Sequence, residues 1–312
     1  MPPELLITPA DTAPGVGWSR LLRFGFHATD HGAGAASVTL DMATPKPLDC
    51  ESWWVPEPVI DGCSGGVHHV TGRDWLMARV AVPLDKDIAN TTEQAYDTLL
   101  AWLRQHSAFA LYRIWNYFPQ MTAGDGDDER YRRFSVGRMR AFARHDLGAR
   151  QRYPAATAIG TADGPLHIIA LAGRRPCEYR ENPRQTSAWE YPRDYGPQSP
   201  SFARACAVAT TTSHLLVSGT ASVVGHRTAH PGDWSRQLDE TLRNLAAISA
   251  GHRAVALRLY AHPSVPMAEA AARLATAYPE AHILPLEGEI CRRDLRVEVE
   301  GVWCKQADIP IQ

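Results

Sequence analysis

The sequence predicts an α+β protein built from two fused copies of one β-β-α-β-α-β unit, preceded by a β-rich N-terminal extension. Three observations predict it. Short runs rich in Val, Thr and Leu alternate apolar and polar residues, as half-buried strands require. Between them, apolar residues recur at helical spacing. The whole order then occurs twice, with similar residues at nearly constant offset. The length of 312 residues agrees, since a single core rarely grows past ~250–300 residues.

The second copy, residues 204–312, is the clearer. Residues 204–225 (RACAVATTTSHLLVSGTASVVG) read as two strands joined by a turn near Ser213-His214. Ser235 is placed to N-cap a helix to about Ser249, where Leu238, Leu242, Leu245 and Ile248 share a face. Residues 253–260 alternate as a strand. Pro266 opens a second helix that stops before Pro279. HILPL and a closing strand, LRVEVEGVWC, follow. In the first copy, residues 71–173, Gln94, Thr98 and Leu99 match Gln237, Thr241 and Leu242 at an offset of 143, and Arg113 matches Arg258 at 145. RYRRFSVGRMRAFARH takes the place of the second helix, and PLHIIALAG that of the last strand. This is an internal duplication. Residues 1–70 are the extension. Residues 174–203 are a long connection whose Tyr179, Trp189, Tyr191 and Tyr195 argue for an ordered, functional loop.

Composition narrows the function. Nine Trp, ten Tyr and seven Phe exclude a disordered chain, and 23 Gly and 23 Pro without period exclude collagen-like and coiled-coil chains. A net charge of -2 argues against a nucleic-acid partner. No apolar run reaches the ~18 residues of a membrane helix, and the start, MPPELLITPADTAPG, lacks signal-peptide features. The six cysteines form no CxxC pair, so reduced thiols and a cytoplasmic location are expected. His226 and His230 have the spacing of a helical metal pair but no nearby third ligand. There is no Walker loop, GxGxxG or GxSxG. Chemistry without metal or organic cofactor is expected.

Three features carry candidate chemistry. Arginines crowd residues 130–152 (Arg130, Arg132, Arg133, Arg138, Arg140, Arg144, Arg150, Arg152), followed by Arg180, Arg184 and Arg193. They fit a salt-bridged helix face, or a cleft for a small carboxylate. The loop 181–193 (ENPRQTSAWEYPR) is a surface crossover or a pocket wall. Glu298 and Glu300 lie two apart in a strand and share a face. On an exposed face they are ordinary. On a buried one, one pKa rises and that acid can donate a proton at neutral pH. Cys291, seven residues earlier, is a buried hydrophobe or a reactive thiol.

The second copy resembles the RidA/YjgF fold in LLVSGTASV, TLRNLAAI and VEVEG. That resemblance implies imine deamination with a late Arg on the substrate carboxylate, yet no Arg occurs between Arg273 and Arg292. Longer strings, RIWNYFPQM, ERYRRFSVGR, ENPRQTSAWEYPR, SPSFARA, LLVSGTASVVGH and EICRRDLRVEVEG, resemble the chorismatase family over nearly the whole chain. This resemblance implies RidA-like modules and cofactor-free release of pyruvate from chorismate. It implies Glu298 as the acid that protonates the enolpyruvyl methylene. Arg133, Tyr191 and Arg193 would hold the carboxylates and frame the ring, with Tyr131, Arg184 and Gly219 also at the substrate. Cys291 resembles members that form 3-hydroxybenzoate, whereas Ala221 resembles those that form a dihydroxycyclohexadiene carboxylate. A thiol beside the ring can take part in rearrangement, while Ala for Gly only changes volume, so 3-hydroxybenzoate is favoured. The diene-diol, a 3-/4-hydroxybenzoate mixture, an imine deaminase and a non-catalytic aromatic-carboxylate binder stay open. A fused duplication can supply neighbouring faces within one chain, so a monomer is expected, with a trimer as the alternative.

Overall fold

The computed structural model describes residues 5–9, 13–26, 34, 36–45, 50–147, 153–209 and 213–305. Arg150, Arg152 and the TTT before Ser213 lie outside them. Strands β1 (Leu6–Thr8), β2 (Ser19–Gly25), β3 (Ser37–Thr39) and β4 (Cys50–Val55) form a four-stranded sheet in the order β1-β4-β2-β3. The first six-stranded unit holds β5 (Ile60–Ser64), β6 (Val67–Thr71), β7 (Trp75–Val82), α1 (Ile88–Arg104), β8 (Ala110–Tyr117), α2 (Arg130–Arg144), β9 (Ala155–Ile159) and β10 (Leu166–Gly173). Its sheet order is β5-β6-β7-β10-β8-β9.

The second unit repeats this plan. It holds β11 (Cys177–Arg180), β12 (Ala205–Val208), β13 (His214–Ala221), the small hairpin β14 (Val223–Val224) and β15 (Arg227–Thr228), α3 (Trp234–Ile248), β16 (Arg253–Ala261), α4 (Met267–Ala277), β17 (His282–Glu287) and β18 (Val297–Cys304). Its order is β11-β12-β13-β18-β16-β17. In both sheets the parallel pair, β8 with β9 and β16 with β17, is spanned by the second helix, as a parallel pair needs a crossover. The duplication is thus present as topology, and the fold is the expected α+β pair of units with one shared strand order.

The structure moves three details. The hairpin β5–β6, within the expected extension, hydrogen-bonds to β7 and so belongs to the first six-stranded sheet. Its Gly65-Gly66 turn has φ of 57° and 79°, the two positive values of a tight hairpin turn. A Gly- and His-rich sequence hid its alternation. Likewise β11, within the expected connection, pairs with β12. The cap of α3 is Asp233, which accepts the Arg236 N–H at 3.1 Å, while Ser235 accepts from Arg273. Asp87 caps α1 in the same way. The two caps are 146 residues apart (233 − 87), so the matches at 143 set exposed Gln94 and Thr98 over buried Gln237 and Thr241. The strand match holds better: Arg113 and Arg258 are both buried.

The three sheets share one core. Phe24 and Trp53 of the N-terminal sheet meet Trp115 and Tyr117 of the first unit and Tyr260 and Val302 of the second. The outer faces of the two large sheets are covered separately, by α1 and α2 and by α3 and α4. At the centre lies an ion cluster. Arg258 binds Glu51 and Glu300, and Arg113 also binds Glu300, all at 3% exposure or less. Tyr117 and Tyr260 share a hydrogen bond of 2.8 Å beside it. Buried charges persist only when paired and hydrogen-bonded.

Candidate active site

A cavity of about 490 Å³ opens where the two units meet. The first unit lines it with Tyr131 and Arg138 of α2 and with Ala156, Thr157 and Ala158 of β9. The second contributes Gly219 and Ala221 of β13, Glu298 of β18, and Cys291 and Arg292 of the loop before β18. The connection between β11 and β12 closes it with Gln185, Tyr191, Tyr195, Phe202 and Arg204.

Glu298 is 5% exposed. Burial, and then the negative Glu300, push its carboxyl up to about 8 against the opposing pull of Arg204 and Arg113. Glu300 behaves oppositely. Burial pushes it up, but Arg113, Arg258, Thr157 and Tyr260 outweigh that and hold it below the usual carboxylate range. The two acids on one strand face are therefore split at neutral pH, Glu298 neutral and Glu300 ionised. Gly219 makes room for the acid, because a Cβ there would collide with Glu298 Oε1. Cys291 is a neutral thiol, its pKa pushed up to about 12 by burial and by Glu298. Burial also raises Tyr131 above its ordinary value, so it stays a phenol.

Cations face the acid. Arg138 is 1% exposed, and its Nε and Nη2 have no hydrogen-bond partner. Arg204 donates to the Thr186 carbonyl at 2.9 Å and to the Tyr191 hydroxyl at 2.7 Å, with Nε unpartnered. Arg292 lies over the rings of Tyr195 and Tyr191, at 4.2 and 5.2 Å. Buried guanidinium groups with spare donors suit carboxylates, and the aromatic rings suit a flat, apolar middle.

Of the expected site residues, Glu298, Cys291, Tyr131, Tyr191, Gly219 and Ala221 line the cavity. Three arginines do not. Arg133 faces Asp87 at 3.6 Å, Arg193 forks onto exposed Asp127, and Arg184 binds Glu240 of α3. Each had an acid close by that its side chain could reach outside the cavity. Arg138, Arg204 and Arg292 are among the arginines that line it instead. For Arg138 a signal existed: it shares a helix stripe with Phe134, Ala141 and Phe142, all buried. His226 sits in the β14–β15 turn, and among the described residues no three His, Cys, Asp or Glu side chains converge as a metal site. No helix among them is long and apolar enough to cross a membrane.

Fold and site define a two-unit protein whose cavity sets guanidinium groups and aromatic rings against a buried carboxyl, a lining suited to a small anionic ring compound. The comparisons with known proteins carry this further. Residues 51–172 match the family described as chorismatase FkbO/Hyg5-like, N-terminal. Over 296 residues the chain is 34% identical to a 3-hydroxybenzoate synthase of Streptomyces hygroscopicus, covering 88% of this chain and 86% of that one. It is 30% identical to a chorismatase of Streptomyces rapamycinicus, covering 88% and 90%. A solved chorismatase structure superposes with a TM-score of 0.83 at 27% identity, over 96% of this chain and 97% of that chain. The chain belongs to the chorismatase family.

Proposed function

We propose that this chain is an enzyme that cleaves chorismate to pyruvate and 3-hydroxybenzoate, with Glu298 as general acid. The observation that carries the reading is a neutral carboxyl in a cavity walled by buried guanidinium groups. Chorismate carries two carboxylates and an enol ether. Arg138 and Arg204, with Arg292 at the aromatic wall, hold the carboxylates. Glu298 gives its proton to the enolpyruvyl methylene carbon, which becomes a methyl group, and the side chain becomes oxocarbenium-like. The neighbouring ring hydroxyl then attacks the ring carbon bearing the ether. The C–O bond breaks, pyruvate leaves with the ether oxygen, and the hydroxyl proton returns to the Glu298 carboxylate. The resulting epoxide opens to a ring cation and loses a ring proton, which leaves the aromatic phenol. No water is consumed, and substrate and products balance. Aromatic walls and the neutral Cys291 thiol disfavour water at the ring, which would divert the reaction to the diene-diol. Both cavity walls come from one chain, which favours a monomer.

Incubation with chorismate, followed by chromatography, tests this. Pyruvate and 3-hydroxybenzoate are expected in equal amounts, and Glu298→Gln is expected to lower the rate by ~10²–10⁴-fold. Binding of chorismate without pyruvate release would contradict enzymatic cleavage. Pyruvate with the diene-diol would contradict the product.

A further inference from the structure

Among the described residues none donates a hydrogen bond to the Glu298 carboxyl, although donors lie close by. Two of those donors meet instead at Thr157 of β9. Its hydroxyl donates to Glu300 Oε2 and accepts from Arg113 Nη2 at 2.9 Å and from the Gly219 N–H at 2.9 Å. A hydroxyl has one proton and two lone pairs, so Thr157 is fully committed. Gly219 sits in the irregularity of β13 between Val217 and Thr220, directly under Glu298. Its N–H donates to Thr157, while Glu298 Oε1 occupies the space where a Gly219 Cβ would sit. The Thr157 Cγ2 methyl lies 3.2 Å from where a Gly219 Cβ would sit and packs against the same point.

We propose that Thr157 is a positioning residue for the general acid: its hydroxyl holds two hydrogen-bond donors, its own O–H and the Gly219 N–H, away from the Glu298 carboxyl. This deepens, and rests on, the reading of Glu298 as proton donor. The same hydroxyl fastens the bulge beneath the acid to the central ion cluster through Glu300 and Arg113. It also joins the two units, since β9 belongs to the first and β13 to the second. A donor turned toward a carboxyl favours its charged form, so releasing the Gly219 N–H takes the proton from Glu298 at lower pH.

The test is the pH dependence of pyruvate release by Thr157→Val, which keeps the shape and removes the hydroxyl. The alkaline limb is expected to move down by about one pH unit. At pH 8 kcat should fall severalfold, with KM nearly unchanged. Thr157→Ser, which restores the hydroxyl, should return the wild-type limb. If the valine variant does not fold, Thr157→Ala carries the same expectation. A folded hydroxyl-free variant with the wild-type limb overturns the proposal, as does a Thr157→Ser limb displaced like that of valine. Failure of the underlying reading shows separately, as wild-type turnover in Glu298→Gln, and takes the proposal with it.

Discussion

The two large sheets have the same strand order, and the same pair of positions is filled in opposite ways. In the first unit Arg113 stands across from Leu171 and Trp115 from Ile169. In the second, Arg258 stands across from Glu300 and Tyr260 from Glu298. Ile169 and Leu171 simply fill the shared core. Glu300 draws two arginines, one from each unit, into an ion cluster, and its charge helps keep Glu298 neutral beside the cavity. One scaffold used twice gives core packing in one copy and an acid pair in the other. The chemistry lies in two strand positions and in the partners each acid finds.

Arg258→Met breaks the comparison most severely. It takes the Arg258 partner from buried Glu51 and leaves Glu300 with Arg113, and unfolding by denaturant should show a loss of about 3–5 kcal/mol. Glu298→Gln acts in the other direction. The folded protein holds this carboxyl at about 8 against an ordinary 4.5. The folded state thus favours the neutral form, and wild-type stability is lost as pH rises from 4.5 through about 8. Glutamine cannot ionise, so thermal melts should show the variant gaining on wild type over that window. The gain should reach the order of a few kcal/mol above it and vanish in acid. The smallest effect belongs to Arg193→Ala. Its exposed pair with Asp127 lies outside the cavity lining, so the denaturant midpoint should stay at the wild-type value. Chorismate turnover should be unaltered.

Much of this was legible because it repeats or alternates. The two helices and the central strands follow from period and offset, and Glu298 with Glu300 follows from the two-residue period of a strand. What was hidden depends on partners distant in sequence. Arg133 and Arg138 sit on one helix five residues apart, about 140° around its axis, and only packing decides which points inward. The half-buried one meets Asp87, and the buried one joins the apolar stripe and the cavity. Arg204 looks ordinary in SFARACAV, yet it reaches Tyr191 across the connection. Thr157 in AATAI carries no signal at all. Its meaning comes from Glu300, Arg113 and Gly219, each from a different strand.

The protonation state of Glu298 is the most direct test. Infrared difference spectra between wild type and Glu298→Gln should contain the carbonyl stretch of one neutral carboxylic acid at pH 7. That band should vanish on titration with a midpoint of about 8. Its absence at neutral pH, or a midpoint near the ordinary 4.5, would contradict Glu298 as the resident proton donor.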